Sequence, residues 1–304
     1  MGYEDELREE RGESQTPAII DLPRGTDMNF DEALTIMRHS LARVIVLAGE
    51  VGSGKTTLLA SLYENFLRGP FAGYYFSGSY TLPGFEKRSH HARVLSGRIT
   101  PDTERTPISE QALLHLRVRV QDMSKPSQDL LFSDISGETF RMVRDSSDEC
   151  RRMEIFRRAD HFVLLMDGEK LSKKEYRQEV FLNGDRLLRR CFETGMLGKK
   201  SFVNILFTKY DLLKESQDAD QKKYLDYITV RLQNRYKQKS ARFLFHYIAA
   251  RPKHESSLQF AYGLNEIFPS WVEETPIFER GPSMIFEIEP KTEMERFSWK
   301  QLGH

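Results

Sequence analysis

Residues 43–59 read Arg-Val-Ile-Val-Leu-Ala-Gly-Glu-Val-Gly-Ser-Gly-Lys-Thr-Thr-Leu-Leu, and they restrict the fold more than any other stretch. The apolar run 44–48 is the kind of strand that a parallel sheet buries on both faces. It passes directly into Gly49-Glu50-Val51-Gly52-Ser53-Gly54-Lys55-Thr56, which fits G-x-x-x-x-G-K-[ST]. Leu58, Leu59, Leu62, Tyr63, Phe66 and Leu67 then recur at helical spacing until Gly69-Pro70 ends the helix. Strand, glycine-rich turn and helix in that order make a phosphate cradle. The glycines allow backbone conformations that a Cβ would penalise, so that successive N–H groups turn inward, and the helix adds its positive end. Lys55 offers a full charge to β- and γ-phosphates, and the Thr56 hydroxyl suits Mg²⁺. The loop from Gly49 through Glu50, Val51, Gly52, Ser53, Gly54 and Lys55 to Thr56 and Thr57 is the expected binding site for a nucleoside triphosphate.

Around that centre the chain alternates strands and helices. Residues 161–167, 201–208 and 242–249 are apolar strands, each followed by a helical pattern. Tyr224, Leu225, Ile228, Leu232 and Tyr236 mark one helix, and Leu258, Leu264, Ile267, Phe268 and Trp271 the last. Ser172-Lys173-Lys174-Glu175 reads as a capping box opening a helix to Gly195, and residues 142–159 as one charged helix. Residues 114–120 alternate apolar and polar, which predicts a half-buried strand at or near a sheet edge. No crossover helix separates it from the strand 129–134, so the two pair as an antiparallel hairpin. The expected fold is therefore α/β: a mostly parallel sheet with one antiparallel hairpin strand and helices on both faces. Its parts are a leader and short helix over 1–40, a nucleotide-binding domain over 41–274 with an insert at about 70–110, and a tail over 275–304. Residues 17–23 read as an extended edge segment, and 284–286 as a short strand in the tail.

Composition excludes more than it selects. With 45 basic and 45 acidic residues and no block of like charge, the chain is a poor match to nucleic acid or an anionic membrane. Cys150 and Cys191 are too few and too far apart in sequence for a disulfide framework or a cysteine metal site. The acidic start lacks the apolar region of a signal peptide, and no apolar run reaches the roughly 18 residues of a membrane span. A cytoplasmic protein is expected. His90-His91 on a predicted helix point in different directions and read as a solvated face.

Two later motifs choose the nucleotide. Asp134-Ile135-Ser136-Gly137 is D-x-x-G at a strand end. There Asp134 suits a water-mediated Mg²⁺ contact, and Gly137 can offer its N–H to a γ-phosphate. Thr208-Lys209-Tyr210-Asp211 resembles the [NT]-K-x-D box of GTPases, whose Asp accepts from the guanine ring N–H and amine while the Lys stem lies along the base. Adenine has no such donor pair, and the mismatch costs a few kcal/mol. Ala249-Ala250-Arg251 is similar to the S-A-K signature, in which a backbone N–H meets guanine O6.

Three motifs in this order, each at a strand end, give residues 42–272 a resemblance to the Ras-like and translation-factor-related P-loop GTPases. Within these the chain looks most like the double-GTPase family of bacterial conflict (anti-phage-type) operons. The narrower resemblance is carried by Gly-Glu-Val-Gly-Ser-Gly-Lys-Thr-Thr-Leu-Leu-Ala-Ser-Leu-Tyr-Glu, the insert with Thr103 and Thr106, Asp-Ile-Ser-Gly-Glu and Thr-Lys-Tyr-Asp. It implies GTP/GDP and Mg²⁺ as ligands and a switch acting with partner proteins, one of them often membrane-anchored. It also implies a switch-loop threonine, assigned to Thr106 with Thr103 as runner-up, that joins Thr56 and Asp134 at the metal. The family name implies doubling, and this chain carries one set of motifs.

Departures bear on mechanism. Lys55, Glu138 and Thr106 are the expected catalytic set, but Glu138 stands where small GTPases carry a water-orienting Gln. A carboxylate accepts from water yet cannot donate to the γ-phosphate. Val51 would crowd an arginine finger from a partner, and Arg98 or Arg105 could serve in cis or simply be solvated. Phe140, Met142 and Val143 form either a partner surface in the moving segment or ordinary helix packing. Three functions follow: a regulatory GTPase, a GTP-binding scaffold without turnover, and an ATP-driven enzyme, which Asp211 opposes. Asp211→Asn is expected to erode GTP preference and move it toward xanthine nucleotides, measured by competitive nucleotide titration. Equal binding of ATP and GTP by the unaltered chain would refute the base-reading assignment.

Overall fold

Residues 44–48 carry no polar side chain, and in the computed structural model all five are buried. The structure describes residues 25–94, 112–122, 124–216 and 218–273. Strand β1 (Arg43–Ala48) lies at the centre of a seven-stranded sheet ordered β2-β3-β4-β1-β5-β6-β7. Its neighbours are β4 (Gln128–Asp134) and β5 (His161–Met166), both parallel to it. Beyond β5 lie β6 (Phe202–Phe207) and β7 (Arg242–Tyr247), again parallel. On the other side, β3 (Ala112–Arg119) runs antiparallel to both β4 and the edge strand β2 (Tyr75–Gly78). One strand alone therefore opposes the rest, and the expected α/β sheet with an antiparallel hairpin strand is the observed one.

Helices cover both faces. Helices α2 (Lys55–Arg68), α3 (Leu82–Val94) and α11 (Leu264–Glu273) close one core with Leu58, Leu62, Phe85, Phe268 and Trp271 against Ile45, Leu47 and Phe132. The opposite core takes α1 (Phe30–His39), α4 (Gly137–Asp145), α5 (Ser147–Arg152) and α6 (Glu154–Arg158). It also takes α7 (Gly168–Ser172), α8 (Arg177–Glu193), α9 (Tyr210–Glu215) and α10 (Ala219–Tyr236).

Several local expectations change. Residues 142–159 are three short helices, and the first begins five residues earlier. Ser136 caps the start of α4 through the Thr139 N–H. Ser146 caps α5 through the Glu149 N–H and so divides what charge patterning reads as continuous, while the second break, at Met153, has no side-chain cap. Ser172 opens no helix: it ends α7, and its hydroxyl donates to Glu169 O at 2.8 Å, while α8 starts after Tyr176 without a side-chain cap. Leu258 precedes α11 by six residues. Strand β3 is penultimate and mostly buried on both faces, because its polar residues are paired. His115 Nε2 contacts Asp129 Oδ1 at 2.9 Å, Arg117 Nε donates to the same atom at 2.6 Å, and the Tyr80 N–H donates to His115 Nδ1 at 3.0 Å. His90 is exposed on α3, as a solvated face requires. The fold brings Cys150 of α5 and Cys191 of α8 into contact as free, buried thiols despite their separation in sequence. The leader 1–24, the switch insert around 95–111 and the tail 274–304, with the segments 17–23 and 284–286, lie outside the described residues.

His161 opens β5 fully buried, and neither ring nitrogen has a hydrogen-bond partner among the described residues. Burial first, then the positive Arg43 and Arg242, pushes its pKa down to about 3. The folded chain keeps this ring neutral where the unfolded chain protonates near pH 6.5. Its contribution to stability is complete above that pH and declines by about 1.4 kcal/mol per unit as pH falls toward the folded pKa. Replacing His161 by Phe should therefore reduce the stability lost between pH 7 and 5 by about 2 kcal/mol, read from urea unfolding at both pH values.

Candidate nucleotide site

Because β1, β4, β5, β6 and β7 are parallel, their carboxyl ends share one edge of the sheet. Every sequence motif follows one of those ends. The phosphate loop leaves β1. Gly54, at φ +96°, turns the chain into α2 as its N-cap, a conformation that L side chains rarely adopt. No side chain caps this helix and no acid lies in its first turn, so its N–H groups and dipole face the loop unopposed. The Lys55 ammonium folds back over the loop and donates to Gly49 O at 2.7 Å and Glu50 O at 3.1 Å. Thr56 and Thr57 are half-buried on the first turn. Ser53 contributes backbone alone: its hydroxyl is buried beneath the loop with no hydrogen-bond partner among the described residues.

Asp134 ends β4, and Gly137 opens α4 directly against the loop. A Cβ built on Gly137 would stand 2.3 Å from Val51 N and 2.8 Å from Glu50 C, so only glycine permits this approach. Glu138 is half-buried on the same turn. Of the three apolar residues in the segment, Phe140 and Val143 are core, which matches the packing alternative, whereas Met142 is half-exposed. Thr106 and Thr103 lie outside the described residues, as do Arg98 and Arg105.

The third motif is tied to the first. Thr208 Oγ1 donates to Ser53 O at 2.9 Å, with Met166 O at 3.2 Å as a second acceptor. Lys209 takes a left-handed conformation (φ +48°), and its ammonium reaches both Asp167 at 3.1 Å and Glu169 at 3.0 Å. The Lys209 hydrogen bond, opposed by burial, lowers the Glu169 pKa. Asp211 is buried at the start of α9, where its carboxylate accepts from the Lys253 N–H at 3.0 Å and is thereby oriented. The Ala249 N–H is engaged by Tyr262 O at 3.1 Å, which leaves the Ala250 N–H as the candidate of that pair. Arg251 departs from the S-A-K pattern in direction as well as type: it donates to Glu64 of α2 at 2.7 Å.

Asp167 and Glu169 are site residues that motif reading misses. Asp167 caps α7 through the Glu169 N–H at 3.0 Å while holding Lys209. A Cβ on Gly168 would come within 1.9 Å of Thr208 O, so the turn packs directly on the Thr208–Asp211 segment. The available signal was an Asp-Gly pair at the end of a buried strand. Asp167→Ala should cost about 1 kcal/mol through the lost cap. It should also weaken GDP binding by releasing Lys209, measured by thermal unfolding and nucleotide titration. Unchanged GDP affinity would show that Asp167 is not needed to position Lys209, which Glu169 also holds at 3.0 Å.

A family model, Double-GTPase 2, matches residues 43–272. No curated protein matches the sequence. Among solved structures, the chain is similar to the Ski7 GTPase-like domain of S. cerevisiae bound to GDP and inorganic phosphate. The two are 15% identical with a TM-score of 0.41, over 72% of this chain and 45% of that one. The same domain bound to GTP aligns at 14% identity with a TM-score of 0.44, over 81% and 52%. The chain spans about half the length of these domains. The signal recognition particle receptor SRb-GTP/SRX complex of Chaetomium thermophilum aligns at 15% identity and a TM-score of 0.39, over 76% and 96%.

Proposed function

We propose that this chain, which belongs to the Double-GTPase 2 family, is a guanine-nucleotide switch that hydrolyses GTP to GDP with Mg²⁺. The observation that carries this reading is the Thr208–Ser53 hydrogen bond, because it fixes the base-reading box to the phosphate loop at the same sheet edge. On this reading the domain spans 41–274, and backbone N–H groups of the loop 49–57 hold the phosphates, that of Ser53 being engaged by Glu50 O at 3.2 Å. Lys55 exchanges its two loop carbonyls for phosphate oxygens, and Asp211 and the Ala250 N–H read guanine. The candidate metal donors are a hydroxyl at Thr56 and a carboxylate at Asp134, with Thr106 as a third. Hard oxygens of this kind fit Mg²⁺, which when bound neutralises phosphate charge. Glu138 can hold the attacking water only as an acceptor, and this favours slow turnover; a GTP-binding scaffold is its limiting case.

The family resemblance further supports a cytoplasmic protein of a bacterial conflict system, working with partners that read the switch segments. Met142 is the apolar residue of α4 available to such a partner. Among the described residues no helix is long and apolar enough to cross a membrane.

Titration with GTP, GDP and ATP in Mg²⁺ buffer, followed by phosphate release, tests the proposal. GTP and GDP should bind far better than ATP. Lys55→Ala should abolish triphosphate binding while the chain still folds and unfolds cooperatively in nucleotide-free buffer, at a temperature lowered only by the loss of its two loop hydrogen bonds. Thr56→Ala should raise the Mg²⁺ requirement. GTP binding without any turnover would leave the scaffold, and ATP binding equal to that of GTP would refute both readings.

A further inference from the structure

Phosphate chemistry gives no reason for an acid at position 50. A carboxylate in a loop that binds polyphosphate opposes the ligand's charge, and the structure shows where this one is directed. Glu50 turns sideways to α4, where Arg144 Nη1 donates to its Oε1 at 2.8 Å and Arg141 Nη2 stands 3.8 Å from Oε2. The Arg144 side chain is 11% exposed and that of Glu50 26%, so the pair is partly withdrawn from water. Arg144 is itself braced, because its Nε and Nη2 donate to Asp145 at 2.8 Å each.

This pair is the last of three contacts made by one face of α4. Gly137 packs on the Glu50–Val51 peptide. One turn on, the Phe140 ring faces the Lys55 ammonium at 5.7 Å, and one turn beyond that Arg144 grips Glu50. Positions 137, 140, 141 and 144 follow the i, i+3, i+4, i+7 spacing of a single helical stripe. All of them meet loop residues between 50 and 55.

We propose that Glu50 is a positioning residue: through Arg144 it holds α4 against the phosphate loop, so that loop and helix move together and the Gly137 N–H is set relative to a γ-phosphate. The γ-phosphate part rests on the nucleotide reading above; the latch between loop and helix does not. Two measurements separate them. Without nucleotide, amide exchange across residues 137–145 should rise in Glu50→Gln and in Arg144→Gln, and the double variant should exchange no faster than either single one, as required of partners in one interaction. With nucleotide, the affinity for a non-hydrolysable GTP analogue relative to that for GDP should fall about tenfold in each single variant. Arg144→Lys, which keeps the charge, should recover part of it. Unchanged exchange across 137–145, or additive effects in the double variant, would overturn the latch. Raised exchange with an unchanged analogue-to-GDP ratio would overturn the positioning role. A parent chain that binds no guanine nucleotide would overturn the functional reading, while the exchange measurement still decides the latch.

Discussion

The parallel pairing of β1 between β4 and β5 is the constraint on which the rest of the structure depends. Its register, Ile45 opposite Phe132 on one side and His161 on the other, fixes three strand ends against one another before any side chain of the site is considered. Each end then releases its segment within reach of the others: the phosphate loop from β1, Asp134 and α4 from β4, Asp167 and α7 from β5. The pairing of β5 with β6 adds Thr208, whose hydroxyl closes the circuit back to Ser53. The relative placement of these parts is a consequence of ladder register between largely buried strands.

What could be read in the sequence follows from how local each signal is. The loop, α2 and the buried strands announce themselves through glycine positions and apolar runs, and the structure holds them where expected. The capping box at Ser172 fails because an equally local competitor, Asp167, captures the preceding turn and leaves Ser172 at its end. The helix over 142–159 fails at Ser146 for the same reason, since that hydroxyl captures the Glu149 N–H, whereas the break at Met153 has no side-chain cap. By contrast, no local signal marks the pairing of His115 with Asp129 or the contact of Cys150 with Cys191, and the Asp167-Gly168 pair signals a turn without showing that it and Glu169 hold Lys209. Each joins residues from different elements, so each becomes visible only when the sheet order is known.

Charge at the loop shows how the same edge tolerates sequence features that would otherwise conflict. The region between α2 and α4 holds one lysine and one acid on the loop itself, and α4 brings two arginines. Arg144 and Arg141 draw the Glu50 carboxylate toward α4. Lys55 instead lies over the loop's own carbonyls, beside the uncapped N-terminus of α2. The positive groups that can serve an anion are thereby separated from the negative one that cannot. A neutral residue at position 50 would remove the repulsion more simply, but it would leave α4 in contact with the phosphate loop through Gly137 and Phe140 alone. The acid is better understood as part of the helix contact than as part of the phosphate site, and that division lets a loop built for anions carry a carboxylate without turning its field against them.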